Sequence, residues 1–175
     1  MTPAARAGAL LLAALMTAAS SVAGQAPPWQ TDQPATRVET SHLTAVTDPL
    51  TVTAARDGRV TLRVHVTPAP RMRVYAHDVT GYRPLSLEVA PMEGLTVRPP
   101  RWPASQLYVF PPTGEVSRVF DAPFVVEVQA DLSASLRRAV TSGSARLTAR
   151  LRYQACDDRL CYRPAEAQVA WASAQ

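Results

Sequence analysis

Leu147-Thr148-Ala149-Arg150-Leu151-Arg152-Tyr153-Gln154-Ala155-Cys156 alternates apolar and polar side chains without a break. Successive side chains of a strand point to opposite faces, so this run reads as a strand with Leu147, Ala149, Leu151, Tyr153 and Ala155 turned inward. The same period of two recurs upstream. Val60, Leu62, Val64 and Val66 alternate with Thr61, Arg63, His65 and Thr67; Leu85, Leu87 and Val89 with Ser86 and Glu88; Phe124, Val126 and Val128 with Val125, Glu127 and Gln129. Downstream, Ala165, Ala167, Val169 and Trp171 resume it. Turn signals separate the runs at Asp57-Gly58, Pro68-Ala69-Pro70, Glu93-Gly94, Pro111-Pro112-Thr113-Gly114 and Ser142-Gly143. The 16 prolines argue against long helices. One helix is expected at Asp131–Val140, capped by Asp131, with Leu132, Leu136 and Val140 at helical spacing. Roughly eight or nine short strands without βαβ alternation predict an all-β, immunoglobulin-like antiparallel sandwich with one short helix. The Cys…Trp…Cys spacing of antibody domains is absent, and no internal repeat is seen.

The N-terminus reads as a secretion signal over residues 1–24. Arg6 supplies the positive charge, Ala7–Ala19 is an uncharged and largely apolar run, and Ser21-Val22-Ala23 offers a small-x-small cleavage site before Gly24. The run is shorter than the roughly twenty residues that span a bilayer, so an uncleaved anchor is the weaker alternative. No cysteine follows it to carry a lipid. The mature chain is expected to begin near Gln25, with a leader and first strand over 25–45 and one domain over 46–175, periplasmic or secreted and without a membrane span. Lys, Asn and Ile are absent, as expected of a GC-rich bacterial genome, and the net charge of +4 rests on scattered arginines. Nothing in that pattern points to nucleic acid.

Cys156 and Cys161 are the chain's two cysteines, with four residues between them, in Tyr153-Gln154-Ala155-Cys156-Asp157-Asp158-Arg159-Leu160-Cys161-Tyr162-Arg163-Pro164. An exported chain keeps disulfides, and a hairpin with one cysteine at each end of Asp157–Leu160 brings two sulfurs together. The closed loop is so short that the bond would add only about 2 kcal/mol as a staple. A tight, turn-borne pair suits cycling between dithiol and disulfide better, although a structural bridge fits the residues alone equally well. Arg159 and Arg163 would favour a thiolate, whereas Asp157 and Asp158 would oppose it or accept its proton. The spacing is not Cys-x-x-Cys, and no helix follows to lower a pKa. Zinc needs about four ligands and no histidine lies near the motif in sequence. A Cys–His hydrolase using His42, His65 or His77, and metal handling by Met72, Met92 and His77, both lack supporting spacing.

The segment Tyr153–Pro164 closely resembles the redox motif of the N-terminal periplasmic domain of the thiol:disulfide interchange protein DsbD, the disulfide bond corrector family. Val74-Tyr75-Ala76, Pro84-Leu85-Ser86-Leu87, Trp102-Pro103, Phe120 and Phe124-Val125-Val126 follow the family's order, so the resemblance covers roughly Thr51–Trp171. It implies an immunoglobulin-like fold and a thiol–disulfide relay with thioredoxin-like periplasmic partners and no cofactor. Within that relay it implies Cys161 as the attacking thiol and Cys156 as the resolving thiol. Three departures stand out. The best-known members have five residues between the cysteines. They carry an acidic, aromatic cap loop, whereas Pro103–Gly114 here offers Tyr108 and Phe110 as an aromatic lid and no acid. They continue into a membrane domain and a thioredoxin-like domain, so a stand-alone module would draw electrons from a separate protein. Tyr162 and Tyr153 would line the site, although Tyr153 also fits its strand's buried face. The alternative is a non-enzymatic binding or scaffold module, with a structural disulfide and a contact surface made of Arg63, Arg150 and Arg152.

Overall fold

The alternating runs become strands wherever one face can be buried. The computed structural model describes residues 36–52 and 58–173. The signal-like N-terminus and most of the leader lie outside the described residues, as does Asp57 of the predicted Asp57-Gly58 turn. The described strands are β1 (Arg37–Glu39), β2 (Leu43–Thr47), β3 (Arg59–Pro68), β4 (Arg73–Tyr75), β5 (Ser86–Val89), β6 (Leu95–Val97), β7 (Gln106–Phe110), β8 (Glu115–Phe120), β9 (Phe124–Leu132), β10 (Leu147–Tyr153), β11 (Ala155–Cys156) and β12 (Ala165–Trp171). Among the described residues a single helix, α1 (Ala134–Thr141), joins β9 to β10. The fold is an immunoglobulin-like antiparallel β-sandwich with a cysteine-bearing hairpin.

Three sheets form, with strand orders β1-β2-β3-β9-β6, β12-β10-β5 and β11-β4-β8-β7, and every strand pair is antiparallel. The inward sets Val60, Leu62, Val64 and Val66 of β3, Val126 and Val128 of β9, and Leu147, Leu151 and Tyr153 of β10 share one core with Trp171 of β12. The indole N–H of Trp171 donates to the Arg63 carbonyl at 3.0 Å, which satisfies a polar group at a residue only 1% exposed. Cross-strand register pairs the outward residues by charge. Arg63 meets Glu127 at 2.6 Å, and Arg152 meets Glu88 at 2.9 Å and Glu166 at 3.7 Å, with Arg150 at 3.6 Å from the same Glu166. The three arginines considered as a contact surface are thus held by acids on neighbouring strands.

The helix begins later than predicted. Asp131 stays in β9, opposite Arg59 and Thr96, and bonds Arg98 at 3.1 Å. Leu132 ends that strand inside the core. Ser133 is the N-cap, its Oγ accepting the Leu136 N–H at 3.2 Å. Leu136 and Val140 then turn inward as expected. The strand continues because β3 and β6 both offer backbone partners at this point, which outweighs the capping preference of an aspartate.

The four-stranded sheet positions the cysteines. Its register places Cys156 against Arg73, Tyr75 against Val119, and Val119 and Ser117 against Gln106 and Tyr108. Residues facing each other across a ladder share a face, so Cys156, Arg73, Tyr75, Glu115 and Tyr108 project to one side. The other side sends Val74 and Phe120 into the main core. Farther out on that side, Leu107, Val109 and Val116 stand exposed on the β7–β8 hairpin.

Candidate redox site

Cys156 and Cys161 form a disulfide, with Cα atoms 4.0 Å apart. The Asp157 N–H donates to the Leu160 carbonyl at 3.1 Å and the Tyr162 N–H to the Ala155 carbonyl at 2.8 Å. These bonds flank the cysteines, which makes them a non-hydrogen-bonded antiparallel pair, the position where facing side chains come closest. The predicted hairpin with a cysteine at each end is therefore formed. Its turn contains no glycine and no residue at positive φ. Asp157 organises it instead: Oδ1 accepts the N–H groups of Arg159 at 2.7 Å and Leu160 at 2.9 Å, and Oδ2 accepts the Tyr162 hydroxyl at 2.9 Å. The Leu160 N–H, then that of Arg159, holds the Asp157 carboxyl below its ordinary pKa. The same carboxylate pushes the Tyr162 phenol up.

The two cysteine residues differ in exposure. Cys156 is 4% exposed, whereas Cys161 is half-buried. The Tyr75 hydroxyl lies 3.3 Å from Cys161 Sγ, and since a disulfide sulfur carries no proton, the hydroxyl is the donor. Burial, with the Tyr82 hydroxyl second, raises the pKa of Tyr75, so it stays protonated wherever a thiol titrates. Tyr82 stacks on Tyr75 at 4.1 Å, and its own hydroxyl donates to Glu115. That bond is the main cause of its raised pKa.

Tyr108 packs against the buried cluster of Tyr75, Val119 and Cys156. Its hydroxyl donates to Asp158 Oδ1 at 3.1 Å, and the Arg73 guanidinium lies 4.0 Å from its ring centre. Arg73 reaches the same Asp158 oxygen at 2.8 Å, and Arg71 stands 3.8 Å from Oδ2. Phe110 is half-buried at the far end of β7, opposite Glu115, and is not part of the cluster that packs on Cys156. The Arg159 side chain is exposed, and its contribution to the turn is its backbone N–H. Tyr153 is fully buried, bonds Thr40 at 2.9 Å, and belongs to the core.

The carboxylates near the pair come from outside Pro103–Gly114: Asp157 and Asp158 from the cysteine turn, bonded to Tyr162 and Tyr108, and Glu115 from β8, bonded to Tyr82. The sequence also concealed Arg73 and Tyr82, and it offered His42 only as one of three candidate bases. His42, far from the motif along the chain, packs on the Tyr162 ring at 4.6 Å, and burial lowers its pKa. The advance signal for Arg73 was its place next to Val74-Tyr75-Ala76, an early strand in the family's order. His65 pairs with Asp48 at 2.8 Å and His77 stacks on Trp102 at 5.1 Å. Among the described residues no group of three or more His, Cys, Asp or Glu is set to hold a metal ion.

The N-terminal domain model of the thiol:disulfide interchange protein DsbD matches residues 40–172. The chain belongs to this family. Its thiol–disulfide exchange character thus rests on the matched domain together with the bonded cysteine pair. A crystal structure of the N-terminal periplasmic domain of ScsB from Proteus mirabilis shares the fold, with a TM-score of 0.53 at 13% identity. The alignment covers 77% of this chain and 49% of that one, so this chain spans about half of that structure's length. No match was found among curated proteins. Among the described residues no helix is long and apolar enough to cross a membrane.

Proposed function

We propose that this domain is an exported carrier of reducing equivalents, cycling Cys156 and Cys161 between dithiol and disulfide against thioredoxin-like periplasmic partners. The observation that carries the reading is the redundancy of the bond. Residues 155–162 are already closed by two backbone hydrogen bonds and the Asp157 carboxylate, and a disulfide closing so short a loop adds only about 2 kcal/mol. A bond that contributes little to folding can be opened and remade without loss of structure. The signal-like N-terminus supports export, as does the periplasmic origin of the ScsB domain.

In the reducing direction the Cys161 thiolate attacks one sulfur of a partner's disulfide. That S–S bond breaks, a mixed disulfide forms, and the departing partner thiolate takes up a proton. The Cys156 thiolate then attacks Cys161 Sγ, closes the intramolecular bond and releases the second partner sulfur as a thiolate. Two electrons have passed to the partner, and the dithiol of a separate donor protein restores the pair by the reverse sequence. Greater access at Cys161 supports its role as the attacking sulfur, and burial of Cys156 supports the resolving role. Tyr108, Tyr162, Asp157, Asp158 and the Arg159 backbone act as supports of the hairpin, while Phe110 lies at the rim.

The equilibrium potential of the pair tests this. A value of roughly −180 to −270 mV is expected of an exchange protein, whereas one well below about −300 mV makes the bond structural and overturns the proposal. Cys161→Ser should abolish trapping of partners, and Cys156→Ser should accumulate mixed disulfides. Trapping that persists unchanged in Cys161→Ser would overturn the role assignment.

A further inference from the structure

Arg73 occupies an unusual position for a charged side chain. It is the register partner of Cys156 across the β4–β11 ladder and projects to the same face. Its side chain is only 20% exposed. The outer end of the guanidinium is engaged, Nη1 meeting Asp158 at 2.8 Å, while the plane lies over Tyr108. The Nε–H is buried and has no hydrogen-bond acceptor among the described residues. A buried donor without an acceptor is costly and uncommon in a settled structure. Cys156 beside it is buried too, and burial alone would raise a thiol's pKa and keep it protonated.

These two anomalies resolve each other. The disulfide sulfur is a weak acceptor, whereas a thiolate at Cys156 is a strong one. We infer that Arg73 is a thiolate-stabilising residue that holds Cys156 deprotonated in the reduced domain and in the mixed disulfide, so that the resolving step proceeds near neutral pH. The inference rests on the exchange function proposed above and assigns the group that activates its second step. The chemistry is balanced: the Cys156 proton leaves to solvent, the thiolate attacks Cys161 Sγ, and the partner's sulfur departs with the electron pair. Each unit by which Arg73 lowers a pKa that lies above ambient pH raises the thiolate fraction about tenfold. Intrinsic nucleophilicity falls about threefold, which leaves a net gain in resolution of about threefold.

The charges facing this group come from every neighbouring element. Asp158 and Asp157 lie on the cysteine turn and oppose a thiolate. Arg71 precedes β4 and favours one. Tyr75 of β4 and Tyr108 of β7 remain neutral donors across the thiol range, and Glu115 of β8 is occupied by Tyr82. Two variants of opposite sign therefore follow. Arg73→Met keeps the apolar stem and removes the charge, and Asp158→Asn removes the anion that competes for the guanidinium.

The measurement is the pH profile of iodoacetamide alkylation at Cys156 in the full chain carrying Cys161→Ser, with circular dichroism to confirm folding. Arg73→Met should raise the inflection by about one unit or more, which is about a tenfold loss of thiolate below it. Arg73→Lys should fall between, and Asp158→Asn should lower the inflection. An unmoved inflection in folded Arg73→Met overturns the inference. If Arg73→Met does not fold, Arg73→Gln takes its place with the same reading: a raised inflection supports the inference, and an unmoved or lowered one overturns it. The potential of the unmodified pair separates the two proposals, since a structural bond would end the exchange reading while the thiolate profile stayed readable.

Discussion

Tyr75 and Asp157 show how single side chains shape the sulfur environment. Tyr75 is 4% exposed and its hydroxyl donates to Cys161 Sγ. Removing that donor by Tyr75→Phe leaves the ring packing in place but withdraws a hydrogen bond from the Cys161 thiolate. The Cys161 inflection in alkylation profiles of the Cys156→Ser chain should rise, and labelling at neutral pH should slow several-fold. An unchanged profile would mean that the bond serves packing alone. Asp157 has a folded pKa below its unfolded value of 3.8. Its stabilisation is therefore present above that value and is lost as pH falls through the depressed folded pKa. The difference in melting temperature between the unmodified chain and Asp157→Ala should be constant near neutrality and narrow at acid pH. A gap that widened on acidification would contradict the sign.

Among the elements, the turns and caps differ in what they tolerate. Gly58 adopts φ +81°, and a Cβ there would lie 2.5 Å from the Leu132 carbonyl oxygen, a backbone atom that cannot swing away. Gly114, at φ +73°, meets nothing within 4 Å. Gly58→Ala should therefore cost clearly more stability than Gly114→Ala in denaturant melts, although both bear the left-handed backbone penalty of about 1–2 kcal/mol. Equal losses would show that the clash relaxes. Ser133→Ala removes the observed helix cap and should cost about 1 kcal/mol, whereas substituting Asp131 should act on the β9 edge instead. The long strands β3, β9 and β10 were legible because each buries one face along its whole length, and β12 because Ala167, Val169 and Trp171 keep the same period. The β7–β8 hairpin was not: Gln106-Leu107-Tyr108-Val109-Phe110 carries apolar groups on both faces, one turned to the site and the other exposed. Three-residue strands such as β1, β4 and β6 are too short to show any period.

For the whole molecule, the disulfide stands apart from the main core, among Tyr75, Val119 and Cys156. Loss of the bond should thus leave the sandwich intact. The double variant Cys156→Ser with Cys161→Ser should lose no more than about 2 kcal/mol, roughly 4–8 °C in melting temperature for a domain of this size. Global unfolding of that variant would instead show that the bond organises the sandwich. The sequence by itself determined the layered β architecture, because alternation states which face of each strand leaves water. It also determined the cysteine hairpin, because its closure is local and spans only Ala155 to Tyr162. What only the tertiary structure decided is the company around the sulfurs. Arg73, Tyr75 and Tyr82, Tyr108, Glu115 and His42 reach the site from five separate stretches of chain. Strand register and sheet order bring them together, and those are properties of long-range pairing that no local pattern encodes.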